Sequence, residues 1–529
     1  RDSVEMATAD KREDPIYVSP MVTGPTMKEL EDISAELNLG LEGSTVLKEY
    51  QSVINESLEM VNQLDDLVEP SLPVKYPRTP GYRPSRKENP HNAWYYKSTV
   101  KGAANGILSG KRIAIKDSIA VAGIPMMMGC YALEGYVPDF DATVVTRVLD
   151  EGGVILGKAT CEDLCYSANS HTSAKGPVSN PLNKQHCAGG SSSGCAVLVA
   201  CNEVDMAIGG DQGGSIRVPA SWCGVVGLKP TFGLVPYTGA ACNEYTVDHV
   251  GPIARTVEGC ALLLEVIAGY DDGRDARQQC NVEVPNYLKN LKNAPTKPLR
   301  IAVLKEGFGH EISDPEVDKL IRHTISRFAA SSGATVEDVS IPLHKMSVAL
   351  CVSILAVEGV DCLFTSGCAG LNHTGYYPTS MMSGVGARLK ANMTKLAPCH
   401  KARLLLGNYL KKNYCAVYGK AQNLRRLLTK GYDDVLEKFD VVAMPTTPFT
   451  APKLPTQADW MKEILGHDTD MTWNLKAGNL TGHPSISINA GVVEGLPVGL
   501  LLTGKKFQEL ELLQAAYAFE KFLSSSVSE

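Results

Sequence analysis

Two serines in glycine-rich segments and one lysine in an apolar segment are the residues of this chain best suited to chemistry. Ser191 lies in the run Gly-Gly-Ser-Ser-Ser-Gly, Ser215 follows Gly213 and Gly214, and Lys116 ends the run Ile-Ala-Ile-Lys. Glycine lets backbone N–H groups converge on an oxyanion. A serine nucleophile needs a base, which a buried lysine can supply. The pattern predicts an acyl-transfer site that works without histidine.

The segments around these residues resemble the amidase signature family. The run from Gly209 to Arg217 reads Gly-Gly-Asp-Gln-Gly-Gly-Ser-Ile-Arg, and the match to the family's defining block continues to Thr231. The resemblance covers roughly residues 90 to 529. It implies an α/β protein with the amidase signature fold, in which helices cover both faces of one large mixed β-sheet. Further motifs follow in the family's order at Asp248–Pro252, Met444–Pro448, Asn479–Pro484 and Gly495–Gly499.

The resemblance implies a catalytic role for each of the three residues. Ser215 is expected to be the nucleophile, and Ser191 is expected to follow a cis peptide bond and to relay a proton. Lys116 is expected to accept that proton, for which it must be neutral, and burial favours the neutral form of a lysine. Simpler alternatives are that Ser215 caps a helix and that Ser191 belongs to a flexible turn. Lys116 could instead be a surface lysine paired with Asp117.

The resemblance also implies an oxyanion hole made of backbone N–H groups from consecutive residues. A side chain on either glycine of this set would obstruct close approach of the substrate's carbonyl oxygen. The four residues expected to contribute their N–H groups are Gln212, Gly213, Gly214 and Ser215.

Four more residues are expected near the substrate or in support of the loop. Cys165 and Ser167 match positions that line the acyl pocket in the family. The sequence shows nothing near Cys165 that would activate its thiol, so a cysteine nucleophile is a minor alternative. Asp211 and Arg217 flank the nucleophile, and we expect them to brace the loop by bonding to each other or to backbone groups. Direct contact with the substrate is the alternative for this pair.

Two other segments resemble functional motifs but fit them less well. Gly190–Gly194 fits the G-x-S-x-G nucleophile elbow of α/β-hydrolases, with Ser192 as the nucleophile. An elbow should follow a buried strand, whereas residues 183–186 are polar. Residues 106–111 resemble a phosphate-binding loop, but the spacing is one residue short and Arg112 replaces the serine or threonine.

The fifteen cysteines predict neither a metal site nor a disulfide framework. The pairs Cys161 with Cys165 and Cys362 with Cys368 lack further cysteines or histidines at zinc spacing. We therefore expect no metal and no cofactor. Scattered cysteines in apolar surroundings are typical of reduced thiols, which favours a cytoplasmic protein. The chain begins at Arg1 rather than methionine, so a trimmed N-terminus stays open.

Composition narrows the set of partners. Hydrophobic residues make up 44% and charged residues 21% of the chain, and the net charge is −7. An acidic chain without a basic segment gives no electrostatic reason to bind nucleic acid or an anionic membrane. No apolar stretch is expected to reach the length of a membrane span. The expected partners are a small-molecule amide and, by resemblance alone, a second copy of the chain in a homodimer.

The elements that must position these residues alternate between strand and helix patterns after an N-terminal extension. Alternation of this kind indicates an α/β architecture. Strands are predicted at 112–116, 153–157, 204–209, 300–304, 440–444, 484–489 and 497–502. Helices are predicted at 142–151, 257–268, 315–331, 401–437 and 507–523.

Residues 1–90 are predicted to form a helical extension with a proline-rich linker, before a catalytic domain at 91–529. Thr26 and Glu29 have the spacing of a capping box at the start of a helix. A second helix is indicated by apolar residues three and four apart, from Tyr50 to Leu64.

These features predict an amidohydrolase that cleaves a carboxylic amide to a carboxylate and ammonia. The form Gly-Gly-Asp-Gln at 209–212, with a helical extension, is similar to nitrile-pathway amidases rather than to the glutamine-using subunits of amidotransferases. Such an amidotransferase subunit remains the first alternative. An esterase or lactamase that uses the same site and a catalytically silent scaffold are the others. The sequence does not place the pocket residues within 131–140, 240–246 and 360–390.

Overall fold

The computed structural model describes residues 22–293, 297–456 and 471–526. The chain divides into two compact units, Arg1–Ser71 and Leu72–Glu529. The boundary that the sequence places near residue 90 stays a prediction.

The N-terminal unit contains two amphipathic helices, α1 (Met27–Leu37) and α2 (Leu47–Asn62). The predicted capping box begins α1: Thr26 Oγ1 accepts from the Glu29 N–H at 3.2 Å, and Glu29 Oε2 accepts from the Thr26 N–H at 2.7 Å. Each side chain satisfies a backbone donor that the first helical turn leaves unpaired. Of the predicted apolar positions on α1, Leu30 is buried while Ile33 and Leu37 are exposed.

The larger unit is built on one mixed sheet, in which the described residues form eleven strands. Its spatial order is β1-β3-β2-β4-β6-β5-β10-β11-β9-β7-β8. Parallel pairs link β2 to β3 and β4, and β7 to β8 and β9, while the other neighbours are antiparallel. The strands are β1 Trp94–Lys101, β2 Arg112–Lys116, β3 Val154–Ala159, β4 Met206–Asp211, β5 Val226–Lys229, β6 His249–Ala254, β7 Arg300–Leu304, β8 Thr335–Val339, β9 Val441–Pro445, β10 Ser485–Val493 and β11 Leu496–Thr503.

Helices of very different length connect and cover these strands. The described α-helices of this unit are α3 Thr143–Asp150, α4 Ser193–Ala200, α5 Arg217–Cys223, α6 Val257–Ile267, α7 Tyr287–Asn290, α8 Pro315–Ser332, α9 Ser347–Val360, α10 Thr379–Asn392, α11 Pro398–Asn413, α12 Ala416–Leu436, α13 Lys476–Thr481 and α14 Glu509–Ser526. Short 3₁₀ turns lie at Tyr131–Leu133, Asp163–Cys165, Lys305–Gly307, Pro342–Met346 and Met393–Lys395, and a π turn lies at Asp361–Thr365.

Strand β2 shows how the sheet is covered on both faces. Ile113 and Ile115 pack in the apolar cluster that contains residues of α3, α6 and α14. Ala114, between them, points to the opposite face and packs in the cluster that contains α4. A strand buried on both faces must be apolar at every position, which explains its uninterrupted run of alanine and isoleucine. The mixed sheet with helices on both faces is the predicted fold.

The length of an element did not decide whether the sequence predicted it, since the eight-residue β1 was missed and the five-residue β2 was found. All seven predicted strands are present, whereas β1, β5, β6 and β8 were not predicted. The helix predicted over 401–437 is two helices, α11 and α12, because the chain leaves helical geometry at Tyr414. Pro252 lies inside β6, where a proline argues against a strand in sequence reasoning.

One helical stretch corrects the expectation that no apolar segment is long enough to cross a membrane. Pro342–Thr365 spans 24 residues with a mean hydropathy of 2.0 in its most apolar window, and 56% of that window is buried inside the protein. The middle of this stretch is α9, which packs against α11 and α12. A helix buried among others is apolar around most of its circumference, so length and composition alone are weak support for a membrane span.

We predict that Gly157→Ala in β3 destabilises the protein by about 3 kcal/mol. Gly157 has a φ of +138°, and a Cβ there would lie 2.2 Å from the carbonyl oxygen of Tyr96 on β1. Gly110→Ala is the matched control, because its φ is +75° and a Cβ there has no neighbour within 4 Å. The control should cost about 1 kcal/mol from the left-handed backbone alone. Equal urea midpoints for the two variants would contradict the predicted collision.

Candidate active site

Two neighbouring parallel strands bring the predicted residues to one edge of the sheet. Lys116 is the last residue of β2, and Asp211 is the last residue of β4. Strands β2 and β4 pair in parallel, so both end at the same edge. In open α/β sheets, ligands bind at this carboxyl edge. The loop that follows β4 carries Ser215.

Lys116 and Ser191 are in direct contact. Lys116 Nζ lies 2.8 Å from Ser191 Oγ and donates to the carbonyl oxygen of Gly210 at 3.0 Å. Both side chains have no exposed surface. A cis peptide bond joins Gly190 to Ser191, as the family resemblance implies. Ser191 lies two residues before α4, so the helix start holds its loop.

The alternative that Lys116 is a surface lysine paired with Asp117 is wrong. Asp117 forms its ion pair with Lys158, which is also buried, at 3.1 Å. The carboxylate additionally accepts from the N–H groups of Met127 and Met128. Burial raises the pKa of Asp117 to about 6 against the opposing effect of the Lys158 charge. Lys116 makes no ion pair within residues 22–293, 297–456 and 471–526.

The loop of Ser215 is tied to the loop of Ser191 through the backbone. The N–H of Ser192 donates to the carbonyl oxygen of Ser215 at 3.1 Å. Gly214 has a φ of +129°, and a Cβ there would lie 2.6 Å from Leu475. Glycine is therefore required at this position by backbone geometry and by the close approach of the segment before α13.

The backbone N–H groups of this loop separate into two kinds. The N–H of Gly214 donates to Asp211 Oδ1 at 2.7 Å, which corrects the prediction that all four groups face the substrate. In the described part of the chain, the N–H groups of Gln212, Gly213 and Ser215 have no acceptor. Three free N–H groups beside one serine are what an oxyanion needs. Their role stays a prediction.

A buried ion pair holds this loop. Arg217 and Asp211 are both fully buried, and the guanidinium donates to both carboxylate oxygens at 2.9 and 3.0 Å. The carboxylate also accepts from Gly214 N–H and Ile216 N–H, so it bonds to its partner and to the backbone, the two arrangements considered from the sequence. Burial alone would raise the pKa of Asp211, but the Arg217 charge and these hydrogen bonds hold that pKa well below its usual range.

The C-terminal part of the chain completes this network. Arg217 also donates to Asn479 Oδ1 at 2.7 Å and to the carbonyl oxygen of Leu475 at 3.0 Å. The Asn479 amide donates in turn to the backbone oxygen of Asp211 at 2.9 Å. The predicted motif that begins at Asn479 therefore anchors the loop of Ser215.

A cavity opens beside Ser215, whose side chain keeps a small exposed surface. Its wall contains the predicted residues Cys165, Ser167, Gln212 and Gly213. Lys116 and Ser191 are not among the residues that line this cavity. Within the described ranges, no group of three or more histidine, cysteine, aspartate or glutamate side chains could hold a metal ion.

The structure corrects the expectation that nothing activates Cys165. A hydrogen bond from Cys161 and the charge of Lys116 lower the pKa of the Cys165 thiol, although burial opposes them. Ser118 and Ser191 contribute in the same direction. The sequence could not reveal this, because these residues come from three separate segments of the chain.

Sequence reasoning missed several residues of the cavity wall. Asn243 lies within 240–246, a segment suspected of lining the pocket but not placed by any motif. Arg403 comes from α11 and Lys476 from α13, and neither has a local signal that distinguishes it from a surface cation.

Comparisons with known proteins agree with this geometry. The family model described as Amidase matches residues 85–513. An enantioselective amidase of Rhodococcus rhodochrous is 40% identical over 83% of this chain and 84% of its own length. A glutamyl-tRNA(Gln) amidotransferase subunit of Methanosarcina mazei is 38% identical over 80% of this chain and 87% of its own length. The structure of a peptide amidase from Stenotrophomonas maltophilia is 29% identical with a TM-score of 0.65, covering 79% of this chain and 84% of that one.

We predict that Arg217→Met destabilises the protein by about 3–5 kcal/mol at pH 7, because it leaves the Asp211 carboxylate buried and unpaired. The deficit should shrink as the pH falls from 7 to 5. The unpaired carboxyl in the variant has a raised pKa and takes up a proton in the folded state, whereas the parent, with its depressed Asp211 pKa, keeps its stability across this window. Urea unfolding at both pH values measures the effect.

The double variant Asp211→Asn with Arg217→Met is the control for this charge. It should be less destabilised than Arg217→Met alone at pH 7, and its deficit should not vary between pH 5 and 7. A pH-independent deficit in the single variant would contradict the role of the Asp211 charge.

Proposed function

The chain belongs to the amidase family, and we propose that it hydrolyses a carboxylic amide through an acyl-enzyme on Ser215. The observation that carries the proposal is the 2.8 Å contact between Lys116 Nζ and Ser191 Oγ, next to the loop of Ser215. Lys116 is a buried amine bonded to Ser191, and the N–H of the adjacent Ser192 donates to the carbonyl oxygen of Ser215. These contacts support a proton relay among the three side chains.

In the first step, Ser215 Oγ attacks the carbonyl carbon of the bound amide. Its proton passes to Ser191, and the proton of Ser191 passes to the neutral amine of Lys116. The substrate's oxygen becomes an oxyanion, and we assign its stabilisation to the N–H groups of Gln212, Gly213 and Ser215. The ion pair of Asp211 and Arg217 keeps these donors in place before the substrate arrives.

In the second step, the tetrahedral intermediate collapses and the C–N bond breaks. Lys116 returns its proton through Ser191 to the leaving nitrogen, which departs as ammonia from a primary amide. Water then attacks the ester of Ser215 and loses a proton to the same relay. Breaking the ester bond returns the relayed proton to Ser215 Oγ and releases the carboxylic acid. The acid then loses its proton to the ammonia or to solvent and becomes the carboxylate.

A free-standing amidase is the function we prefer over the glutamine-using component of an amidotransferase. The relative named as an enantioselective amidase supports it, as does Gln212 in the Gly-Gly-Asp-Gln form. The relatives named as glutamyl-tRNA(Gln) amidotransferase subunits support the second candidate function, a glutamine-using amidotransferase component. The isolated chain separates the two: an amidase turns over simple aliphatic and aromatic amides without a partner, whereas an amidotransferase component would prefer glutamine.

The relay is tested by Ser191→Ala, assayed on an amide and on an activated ester of the same acyl group. The amide should lose roughly 10³-fold or more in kcat/KM, because its leaving nitrogen must be protonated. The ester should lose much less, because an activated alkoxide departs without a proton. Rates measured side by side give the ratio.

Ser215→Ala is the control, and it should lose several orders of magnitude on both substrates because the nucleophile is gone. If Ser215→Ala keeps turnover near that of the parent, the acyl-enzyme assignment fails. If Ser191→Ala loses equally on ester and amide, Ser191 shapes the loop and carries no proton.

We also propose that the chain forms a homodimer in the cytoplasm. The exposed apolar side chains of the N-terminal unit support the dimer, because soluble monomers rarely expose large apolar patches. They include Ile33, Leu37, Tyr50, Val53, Met60 and Val61. The cysteines support a reducing compartment, since all fifteen carry free thiols and most are buried.

The dimer is tested by Val53→Lys on α2, at a side chain that is 61% exposed. A charge buried in an interface is costly, so we expect the variant to be a monomer at concentrations where the parent is a dimer. Light scattering after size exclusion measures the mass. Lys48→Glu on the same helix is the control for altered charge and should keep the parent mass. A monomeric parent contradicts the proposal.

A further inference from the structure

Two amide side chains in the wall of the cavity beside Ser215 have oxygens that accept no hydrogen bond within the described chain. Gln212 and Asn243 are 5% and 2% exposed, and both lie in the cavity wall. Within the described chain, neither Gln212 Oε1 nor Asn243 Oδ1 accepts a hydrogen bond. Nearly all buried polar atoms in proteins are paired, and an unpaired acceptor costs free energy. Two such acceptors in one cavity indicate that a ligand supplies the donors.

The orientation of the Gln212 amide follows from its neighbours. Its Nε2 lies 3.0 Å from the hydroxyl of Tyr237, and that hydroxyl donates its only proton to the carbonyl oxygen of Ala241 at 2.9 Å. The hydroxyl can therefore only accept from Gln212, so the atom facing it must be the NH₂ group. The oxygen is left as the free atom.

The orientation of Asn243 is fixed in the same way. Its Nδ2 donates to the carbonyl oxygen of Leu164 at 3.2 Å. A carbonyl oxygen cannot donate, so reversing the amide would place two acceptors against each other. Each side chain thus bonds to the protein through its NH₂ group, and its oxygen is the atom left without a partner.

We propose that Gln212 Oε1 and Asn243 Oδ1 accept hydrogen bonds from N–H or O–H groups of the substrate and determine specificity for substrates that carry them. This inference rests on the proposed amidase function of the same site. The donors are either the N–H groups of the scissile amide or an amino or hydroxyl group on the acyl chain, and the two sources present the same chemistry to a carbonyl oxygen.

The surroundings explain how two neutral acceptors can discriminate. A Cβ on Gly210 would lie 3.5 Å from Gln212 Nε2 and 3.6 Å from Lys116 Nζ, so both nitrogens lie near the Gly210 backbone. Val352 and Leu355 form apolar parts of the wall and offer no side-chain hydrogen bond to a substrate. A site built to bond a donor group rejects an analogue that lacks it, because its own polar atoms stay unpaired.

The test compares four substrates and two variants. The substrates are a primary amide and the methyl ester of one acyl group, each with and without an α-hydroxyl. Gln212→Met and Asn243→Leu remove the acceptors and keep the side-chain volume. We expect the preference in kcat/KM for a donor-bearing substrate over its donor-lacking partner to fall about tenfold in either variant. Val352→Ala is the matched control and should change all four values by the same factor.

The pattern of loss identifies the donor. A reduced preference for amide over ester, with the hydroxyl preference unchanged, assigns the acceptors to the amide nitrogen. A reduced preference for the hydroxylated pair alone assigns them to the acyl chain. Unchanged preferences in both pairs overturn the inference.

Two further measurements keep the test decisive. Tyr237→Phe removes the hydroxyl that orients Gln212, so it should weaken the same preference while Asn243 is intact, even if Asn243→Leu does not fold. Ser215→Ala separates the two proposals. Turnover that persists in Ser215→Ala defeats the amidase mechanism, whereas Ser215-dependent turnover with parent-like preferences defeats only the role of the two acceptors.

Discussion

The buried ion pair between Asp211 and Arg217 is the interaction on which the rest of the site depends. The carboxylate holds the N–H groups of Gly214 and Ile216, so the three other N–H groups of the loop stay free. The guanidinium holds the C-terminal segment through Leu475 and Asn479. Burying two charges costs desolvation free energy, which is offset only when both groups are fully hydrogen-bonded. Here the hydrogen-bond partners are the backbone of the Ser215 loop and the segment from Leu475 to Asn479. The pair occupies the N–H of Gly214 and leaves those of Gln212, Gly213 and Ser215 for the proposed oxyanion site.

The amide side chains around the cavity are also held in place by hydrogen bonds to the protein. Gln212 supplies a backbone N–H on one side of the reacting group and a side-chain acceptor on another, while Tyr237 fixes which end of the amide is which. Asn243 is held in the same manner by a backbone carbonyl of the 164–165 turn. Binding groups fixed before the substrate arrives lose little freedom when it binds. Lys116, Ser191 and Ser215 are the residues that the family resemblance implies for the reaction. In our proposal, Gln212 and Asn243 distinguish one substrate from another.

The sequence predicts much of this arrangement and for identifiable reasons. Buried parallel strands such as β2 are continuous apolar runs, and the glycine-rich turns around Ser191 and Ser215 need unusual backbone geometry, so both leave strong local patterns. Strand β6 was missed because Pro252 breaks the usual pattern, and β8 because most of its residues are exposed. The pocket residues Asn243, Arg403 and Lys476 were missed because their significance is purely spatial. The lowered pKa of Cys165 has the same origin, since Cys161, Ser118 and Lys116 act on it through space.

The contacts of Arg217 with Leu475 and Asn479 can form only late in synthesis, because these two residues lie near the C-terminus. A ribosome has synthesised both serines and the lysine before the middle of the chain, yet the loop of the nucleophile lacks its last supports until the Asn479 segment has emerged. A nascent chain that is stalled or cleaved before that point carries the whole set of reactive side chains without the frame that aligns them. Only a chain synthesised beyond Asn479 therefore has every contact that holds the loop of Ser215.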